Sequence, residues 1–128
     1  MGAAADRLAV LYDRDCAFCK WALDKILAWD RRHRLRPVAI QSEKGQRLLA
    51  AIPPERRLES WHLVGRGGLR SGGAAAPPLF AALPGGRPLA ALLRAFPGLT
   101  DHAYRWVAEH RALLARLLRI DASRELRR

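Results

Sequence analysis

The two cysteines of this chain, Cys16 and Cys19, are the side chains best suited to redox chemistry, and they form a C-x-x-C pair. Such a pair can cycle between a dithiol and a disulfide. The apolar run Leu8–Tyr12 comes just before it, and a helical pattern begins at the first cysteine. The spacing therefore predicts a cysteine pair at the N-terminus of a helix, where unpaired N–H groups and the helix dipole stabilise a thiolate.

The two thiols are expected to have different roles. Cys16, at the start of the helix, is the candidate nucleophile that attacks a substrate disulfide and forms a mixed disulfide. Cys19 lies one turn further into the helix on the same side and is the candidate resolving thiol. Arg14 and Lys20 are expected to add positive potential that tunes the thiolate.

Two carboxylates beside the pair act in the opposite direction, because a nearby negative charge raises the pKa of a thiol. Asp13, at the end of the predicted strand, is the candidate group that accepts the proton of Cys19. Asp15 precedes the predicted helix and is of a good N-cap type. For Asp15, a capping role is the favoured interpretation.

Two other interpretations of the cysteines stay open. A C-x-x-C pair is half of a zinc site, but the predicted helix carries His33 about 20 Å from Cys19. His62 could approach the pair if the third strand lies beside the first, whereas His102 and His110 lie on a predicted helix whose position the sequence does not define. We therefore predict no metal site and keep a zinc-binding protein as an alternative. The second alternative is a pair of structural, unreactive thiols.

The periodicity predicts an α/β fold with the order β-α-β-α-β-β-α followed by extra helices. Pro37 lacks an N–H donor, so the strand that contains it is expected at a sheet edge. The predicted elements are a buried strand at 8–12, helix 16–29, strand 35–40, helix 43–51 capped by Ser42, strands 60–64 and 69–71, helices 74–83 and 88–96, and a last long helix capped by Thr100 or Asp101 that reaches about Leu118.

Length and composition indicate one folded domain. The chain has 128 residues, of which 50% are hydrophobic. The core is expected at about 7–84, a helical extension at about 87–119 and a charged tail at 121–128. No run is long enough to span a membrane and no signal peptide is evident, so a cytoplasmic location is expected.

The net charge of +11 comes almost entirely from arginine. Such a charge can attract nucleic acid, anionic membranes or acidic partners. The arginines are spread along the chain and form no basic and aromatic strip, so we expect no specific nucleic-acid partner. A non-catalytic binding module with a basic surface remains an alternative function.

Residues 12–19, Tyr-Asp-Arg-Asp-Cys-Ala-Phe-Cys, resemble the signature of the DCC family of predicted thiol-disulfide oxidoreductases, also known as DUF393. The family is named for an Asp-x-x-Cys-x-x-Cys start. Weaker similarity continues at residues 38–41, 60–64, 68–72, 92–98 and 104–108 and at Ala75 and Arg111, so the resemblance covers most of the chain.

The resemblance implies a thioredoxin-like fold, with Cys16 as nucleophile, Cys19 as resolving thiol and Asp13 as the accompanying acid. It implies no organic cofactor, since the cysteines carry the electrons, and a disulfide-containing protein or a low-molecular-weight thiol as partner.

The chain departs from the family pattern at two places. Arg14 stands where the family commonly has glycine. Ser60 or Trp61 occupies the region where thioredoxins place a cis-proline before the third strand. We take Ser60 and Trp61, together with Phe18 between the cysteines, as candidate substrate contacts.

Overall fold

The computed structural model describes residues 7–65 and 67–119. The predicted charged tail at 121–128 lies outside the described residues. No helix within the described ranges has the length and apolar character needed to cross a membrane. The elements are β1 (Leu8–Tyr12), α1 (Ala17–Trp29), β2 (Leu35–Ala39), α2 (Glu43–Leu48), a 3-10 helix (Pro54–Glu59), β3 (His62–Gly65), β4 (Gly68–Ser71), a second 3-10 helix (Gly72–Ala75), α3 (Ala76–Ala81), α4 (Arg87–Ala95), α5 (Pro97–Glu109) and α6 (Arg111–Leu117).

The four strands form one mixed sheet in the order β2-β1-β3-β4. β1 runs parallel to β2 and antiparallel to β3, and β3 and β4 form an antiparallel hairpin. Pro37 lies in the edge strand β2, as its missing N–H donor predicts. With helices packed on the sheet, this arrangement confirms the expected α/β, thioredoxin-like fold.

β1 is buried on both faces of the sheet, which explains its continuous apolar sequence. On one face Val10 packs with Leu23 of α1 and Leu79 of α3. On the other face Leu11 packs with Ile40, next to α2. The sheet therefore holds α1, and the cysteines at its start, on the first of these two faces.

The first helix begins one residue later than expected. Cys16 has an extended backbone and is itself the N-cap of α1, so the prediction that Asp15 caps this helix is wrong. A thiol can take this role because its sulfur accepts the N–H that an aspartate oxygen would otherwise accept. At the other end Asp30 is fully buried, and its carboxylate accepts the N–H groups of Arg34 and Leu35, which closes the turn into β2.

The C-terminal region differs from the single long helix that its pattern predicts. It forms α5 and α6, which meet at His110. Neither Thr100 nor Asp101 is a cap, because α5 begins earlier, at Pro97. The Thr100 hydroxyl instead donates to the carbonyls of Leu93 and Phe96, which ties α5 back to α4.

Polar side chains bond the helix carbonyls at the break between α5 and α6. The His110 ring donates to the carbonyl of Trp106 at 2.6 Å and stacks on the Trp106 indole. The Arg111 Nε donates to the carbonyl of Ala108 at 3.0 Å. After the break α6 packs against α1, which brings its first residue to the cysteine pair.

Candidate active site

Cys16 sits at the N-terminus of α1 with its sulfur facing hydrogen-bond donors. Its Sγ accepts the backbone N–H of Cys19 at 3.2 Å. The hydrogen bond from the Cys19 thiol, and then the one from the Cys19 backbone, lower the pKa of Cys16 from 9.0 to about 6, with a further contribution from the charge of Arg111. Partial burial and the Asp13 charge oppose this shift without reversing it. Cys16 is thus the more acidic thiol of the pair.

Cys19 has the opposite character. Its hydrogen bond to Cys16, its burial and the negative charge of Cys16 all raise the pKa of the Cys19 thiol. Arg111 acts against them by donating a hydrogen bond to Cys19. The two cysteines are free thiols, and the hydrogen bond between them links the ionisation of one to that of the other.

Arg111 is the cation of this site. Its Nη1 lies 3.6 Å from the Cys19 sulfur, and its Nε is held by the carbonyl of Ala108. The guanidinium is therefore fixed in orientation by its own helix junction. Sequence reasoning assigned no role to Arg111, although residue 111 belongs to a segment that resembles the family.

The loop between β1 and α1 is held by a polar clamp. Asp13 Oδ1 accepts the N–H of Asp15 at 2.9 Å and the side-chain amide of Gln41 at 2.7 Å. The Gln41 oxygen in turn accepts the N–H of Arg14 at 3.0 Å. Gln41 follows β2, the parallel neighbour of β1, so the sheet itself sets the position of the loop that precedes Cys16.

Trp61 and Tyr104 form an aromatic pair beside the cysteines. Their rings stack with centroids 6.2 Å apart, and the Trp61 N–H donates to the Tyr104 hydroxyl at 3.0 Å. The indole N–H donates to the carbonyl of Gly72, whose φ of +60° suits glycine. Burial raises the pKa of Tyr104, which keeps the hydroxyl protonated. Tyr104 is a second site residue to which sequence reasoning gave no role.

An apolar cavity of about 170 Å³ reaches from this aromatic pair to the inner thiol. Phe18, which stacks on Trp21, forms part of its wall. The remaining lining residues are Val10, Tyr12, Cys19, Ala22, Leu23, Ile26, Trp61, Tyr104, Val107, Ala108 and Arg111.

The structure brings together some of the predicted site residues and leaves others outside. Phe18 and Trp61 line the cavity next to Cys19, whereas Ser60 ends the preceding 3-10 helix and is not part of the lining. The backbone N–H of Lys20 donates to the carbonyl of Cys16 within the first turn of α1. The side chains of Arg14 and Asp15 are exposed.

The histidines do not complete a metal site with the cysteines. His62 is buried on the sheet face opposite α1, because its neighbour Leu63 packs with the α1 cluster. Its ring nitrogens lie 2.6 Å from the Ser71 hydroxyl and 2.8 Å from the Arg57 carbonyl. Within residues 7–65 and 67–119, no three His, Cys, Asp or Glu side chains are grouped as a metal would require.

Comparison with known proteins gives one match. The sequence model described as DCC1-like thiol-disulfide oxidoreductase matches residues 10–117. No curated protein and no solved structure matches the chain. The matched region runs from β1 to the end of α6 and so contains both cysteines, the loop clamp and Arg111.

Proposed function

Because the chain belongs to the DCC1-like thiol-disulfide oxidoreductase family, we propose that it is an enzyme that exchanges disulfides through Cys16 and Cys19. The observation that carries this proposal is the position of the Cys16 sulfur at the N-terminus of α1, where it accepts the N–H of Cys19 at 3.2 Å. Hydrogen bonds from Cys19 lower the pKa of Cys16 to about 6. At pH 7 a thiol with that pKa is about nine-tenths thiolate, which is the reactive form.

The exchange proceeds in two steps. First the Cys16 thiolate attacks one sulfur of the substrate, the substrate S–S bond breaks, and the departing thiolate takes a proton from solvent. Then Cys19 loses its proton and attacks the Cys16 sulfur, which releases the second substrate thiol and leaves a Cys16–Cys19 disulfide. Two electrons pass from the dithiol to the substrate, and no organic cofactor is needed.

Arg111 acts in the second step. Once Cys16 is in the mixed disulfide, its negative charge is gone and no longer raises the pKa of Cys19. The guanidinium 3.6 Å from the Cys19 sulfur then stabilises the thiolate that must form there. The site thereby holds the inner thiol protonated until the mixed disulfide exists.

Serine replacement at each cysteine tests the proposal. Cys16→Ser is expected to abolish reduction of a model disulfide by the pre-reduced protein. Cys19→Ser is expected to accumulate the mixed disulfide, which intact-mass spectrometry detects as one added substrate half. The matched control is Ala28→Ser, which places a serine at an exposed position of α1. This variant is expected to reduce the model disulfide at the wild-type rate. Wild-type exchange in both cysteine variants would overturn the proposal.

A further inference from the structure

We propose that the apolar cavity beside Cys19 is a substrate subsite for a group the size of an aromatic ring, carried by a low-molecular-weight disulfide. This assignment rests on the proposed exchange function and names its substrate class. Cys19 lines the cavity on one side and the aromatic pair Trp61 and Tyr104 lines it on the other. The sulfur of Cys16, which forms the mixed disulfide, is hydrogen-bonded to the N–H of Cys19 at 3.2 Å. The cavity is therefore placed where a substituent close to a bound disulfide would lie.

The size and lining of the cavity indicate which chemical group of a substrate it would bind. An apolar cavity of about 150 Å³ accepts benzene, and this one, which opens to the surface, has about 170 Å³. Aliphatic and aromatic side chains from β1, α1 and α5 make up nearly all of its wall. Water gains few hydrogen bonds there, so an apolar ring is the favoured occupant.

The main chain at this place favours a small disulfide over an extended peptide. Extended peptides bind largely through main-chain hydrogen bonds. The N–H of Trp61 already donates to the Tyr104 hydroxyl, and its carbonyl accepts the N–H of Gly72. Both main-chain groups of the residue that leads into β3 beside the site are therefore satisfied within the protein. A ligand that binds through an apolar side group does not need them.

The reaction balances with this substrate alone. The reduced enzyme and one R–S–S–R molecule yield the Cys16–Cys19 disulfide and two R–SH, with two electrons and two protons transferred. The ring binds in the cavity during formation of the mixed disulfide between Cys16 and one R–S group. Its burial lowers the free energy of that bound state and of the transition state leading to it.

Two disulfides of equal charge test the subsite. In 2,2′-dithiobis(3-phenylpropanoic acid) each sulfur-bearing carbon carries a carboxylate and a benzyl group, whereas in 2,2′-dithiodipropionic acid it carries a carboxylate and a methyl group. The pre-reduced wild-type protein is mixed with an excess of each disulfide at several concentrations, and the loss of its thiols is followed in time. The concentration dependence of this single oxidation gives kcat and KM for the half-reaction. We expect kcat/KM to be about tenfold or more higher for the benzyl compound, mainly through a lower KM. A third arm uses an oxidised peptide with an aromatic residue next to its half-cystine.

Filling the cavity is expected to remove this preference. Ala22→Leu and Ala108→Leu each place a larger side chain in the wall, from α1 and α5 respectively. Each should reduce the benzyl-to-methyl ratio of kcat/KM about fivefold or more. Ala28→Leu makes the same change at an exposed position of α1 and should keep the wild-type ratio.

The outcomes separate the two proposals. If the wild type reduces neither disulfide and no peptide, the exchange function itself fails. If it reduces both small disulfides with equal kcat/KM, the exchange function stands and the subsite is refuted. This result comes from the wild-type protein alone and so does not depend on whether the cavity variants fold. A preference for the peptide over both small compounds also overturns the assignment to a low-molecular-weight substrate.

Discussion

At the scale of single residues, the site is defined by how unlike its two thiols are. Cys16 is the helix cap and accepts hydrogen bonds, whereas Cys19 donates one and is more buried. Both cysteines lie at the start of α1, so the difference between their thiols comes from their positions in its first turn. Arg111, reached from α6, favours negative charge on both sulfurs.

Removing the charge of Arg111 is expected to slow the second step of exchange. In Arg111→Met the mixed disulfide should resolve about tenfold more slowly at pH 7, and the pKa of Cys16 should rise. Rapid quench followed by mass spectrometry measures the resolution rate, and the pH dependence of iodoacetamide alkylation measures the pKa. Arg111→Lys keeps the charge and should recover part of the rate. Identical rates for Arg111→Met and wild type would exclude the electrostatic role.

Asp13 has two candidate roles that one substitution separates. In Asp13→Asn the side-chain oxygen can still accept from Asp15 and Gln41, so the loop is expected to keep its position. Loss of the charge should lower the pKa of Cys16 slightly, because the Asp13 carboxylate raises it. If Asp13 only positions the loop, resolution stays within about twofold of wild type. A much slower resolution, with the loop intact, would identify Asp13 as the proton acceptor of Cys19.

At the scale of elements, periodicity predicted the strands and the first helix well. The strands at 8–12 and 35–40, the Ser42 cap and the hairpin were all confirmed within one or two residues. Residues 74–83, predicted as one helix, divide between a 3-10 helix and α3. The break at His110 was missed because a helical pattern of apolar residues continues through it, while side-chain bonds to the carbonyls decide the ending.

The close packing of α2 against β2 should make Gly45 intolerant of a side chain. A Cβ at Gly45 would lie 2.2 Å from the carbonyl oxygen of Ala39, a backbone atom that cannot easily move. Gly45→Ala is therefore expected to lower the free energy of unfolding by about 1–3 kcal/mol. Urea denaturation measures this. Gly98→Ala, where nothing lies within 4 Å, should stay within about 0.5 kcal/mol of wild type. Equal stability of the two variants would contradict the packing argument.

At the scale of the whole molecule, the acidic thiol couples folding to pH. The pKa of Cys16 is lower in the folded state, about 6, than its ordinary value of 9.0. The ionised Cys16 therefore adds to the free energy of unfolding. This contribution is fully present above pH 9 and is lost as the pH falls through 6. Cys19, whose pKa is raised, takes stability away only above about pH 9, where the unfolded thiol ionises.

The reduced protein is therefore expected to become more stable between pH 7 and 8.5. Because solvent screens this partly buried thiolate, we expect a gain of about 1 kcal/mol. Urea denaturation at the two pH values measures it, with Cys16→Ser as the reference that lacks the gain. Burial lowers the pKa of His62 from its ordinary value of 6.5, so the protonation of this residue changes the stability only below the range from pH 7 to 8.5. A gain of equal size in Cys16→Ser would show that the thiolate is not its source.

The same stabilised thiolate favours the reduced protein over the disulfide form. A dithiol whose reduced state is stabilised has a raised reduction potential. We expect the Cys16–Cys19 couple to lie above the roughly −270 mV of thioredoxin at pH 7, as measured by equilibration with glutathione buffers. A value below that of thioredoxin would contradict this expectation.

The sequence alone determined the position of the cysteine pair between a buried strand and a helix, because both features are local: continuous hydrophobicity, a change of period and a spacing of three. Tertiary structure decided which other groups reach the thiols. Arg111 is 92 residues from Cys19, Tyr104 is 43 from Trp61 and Gln41 is 28 from Asp13. No local pattern encodes contacts at such separations, because they depend on the pairing of β1 with β2 and on the break that turns α6 onto α1.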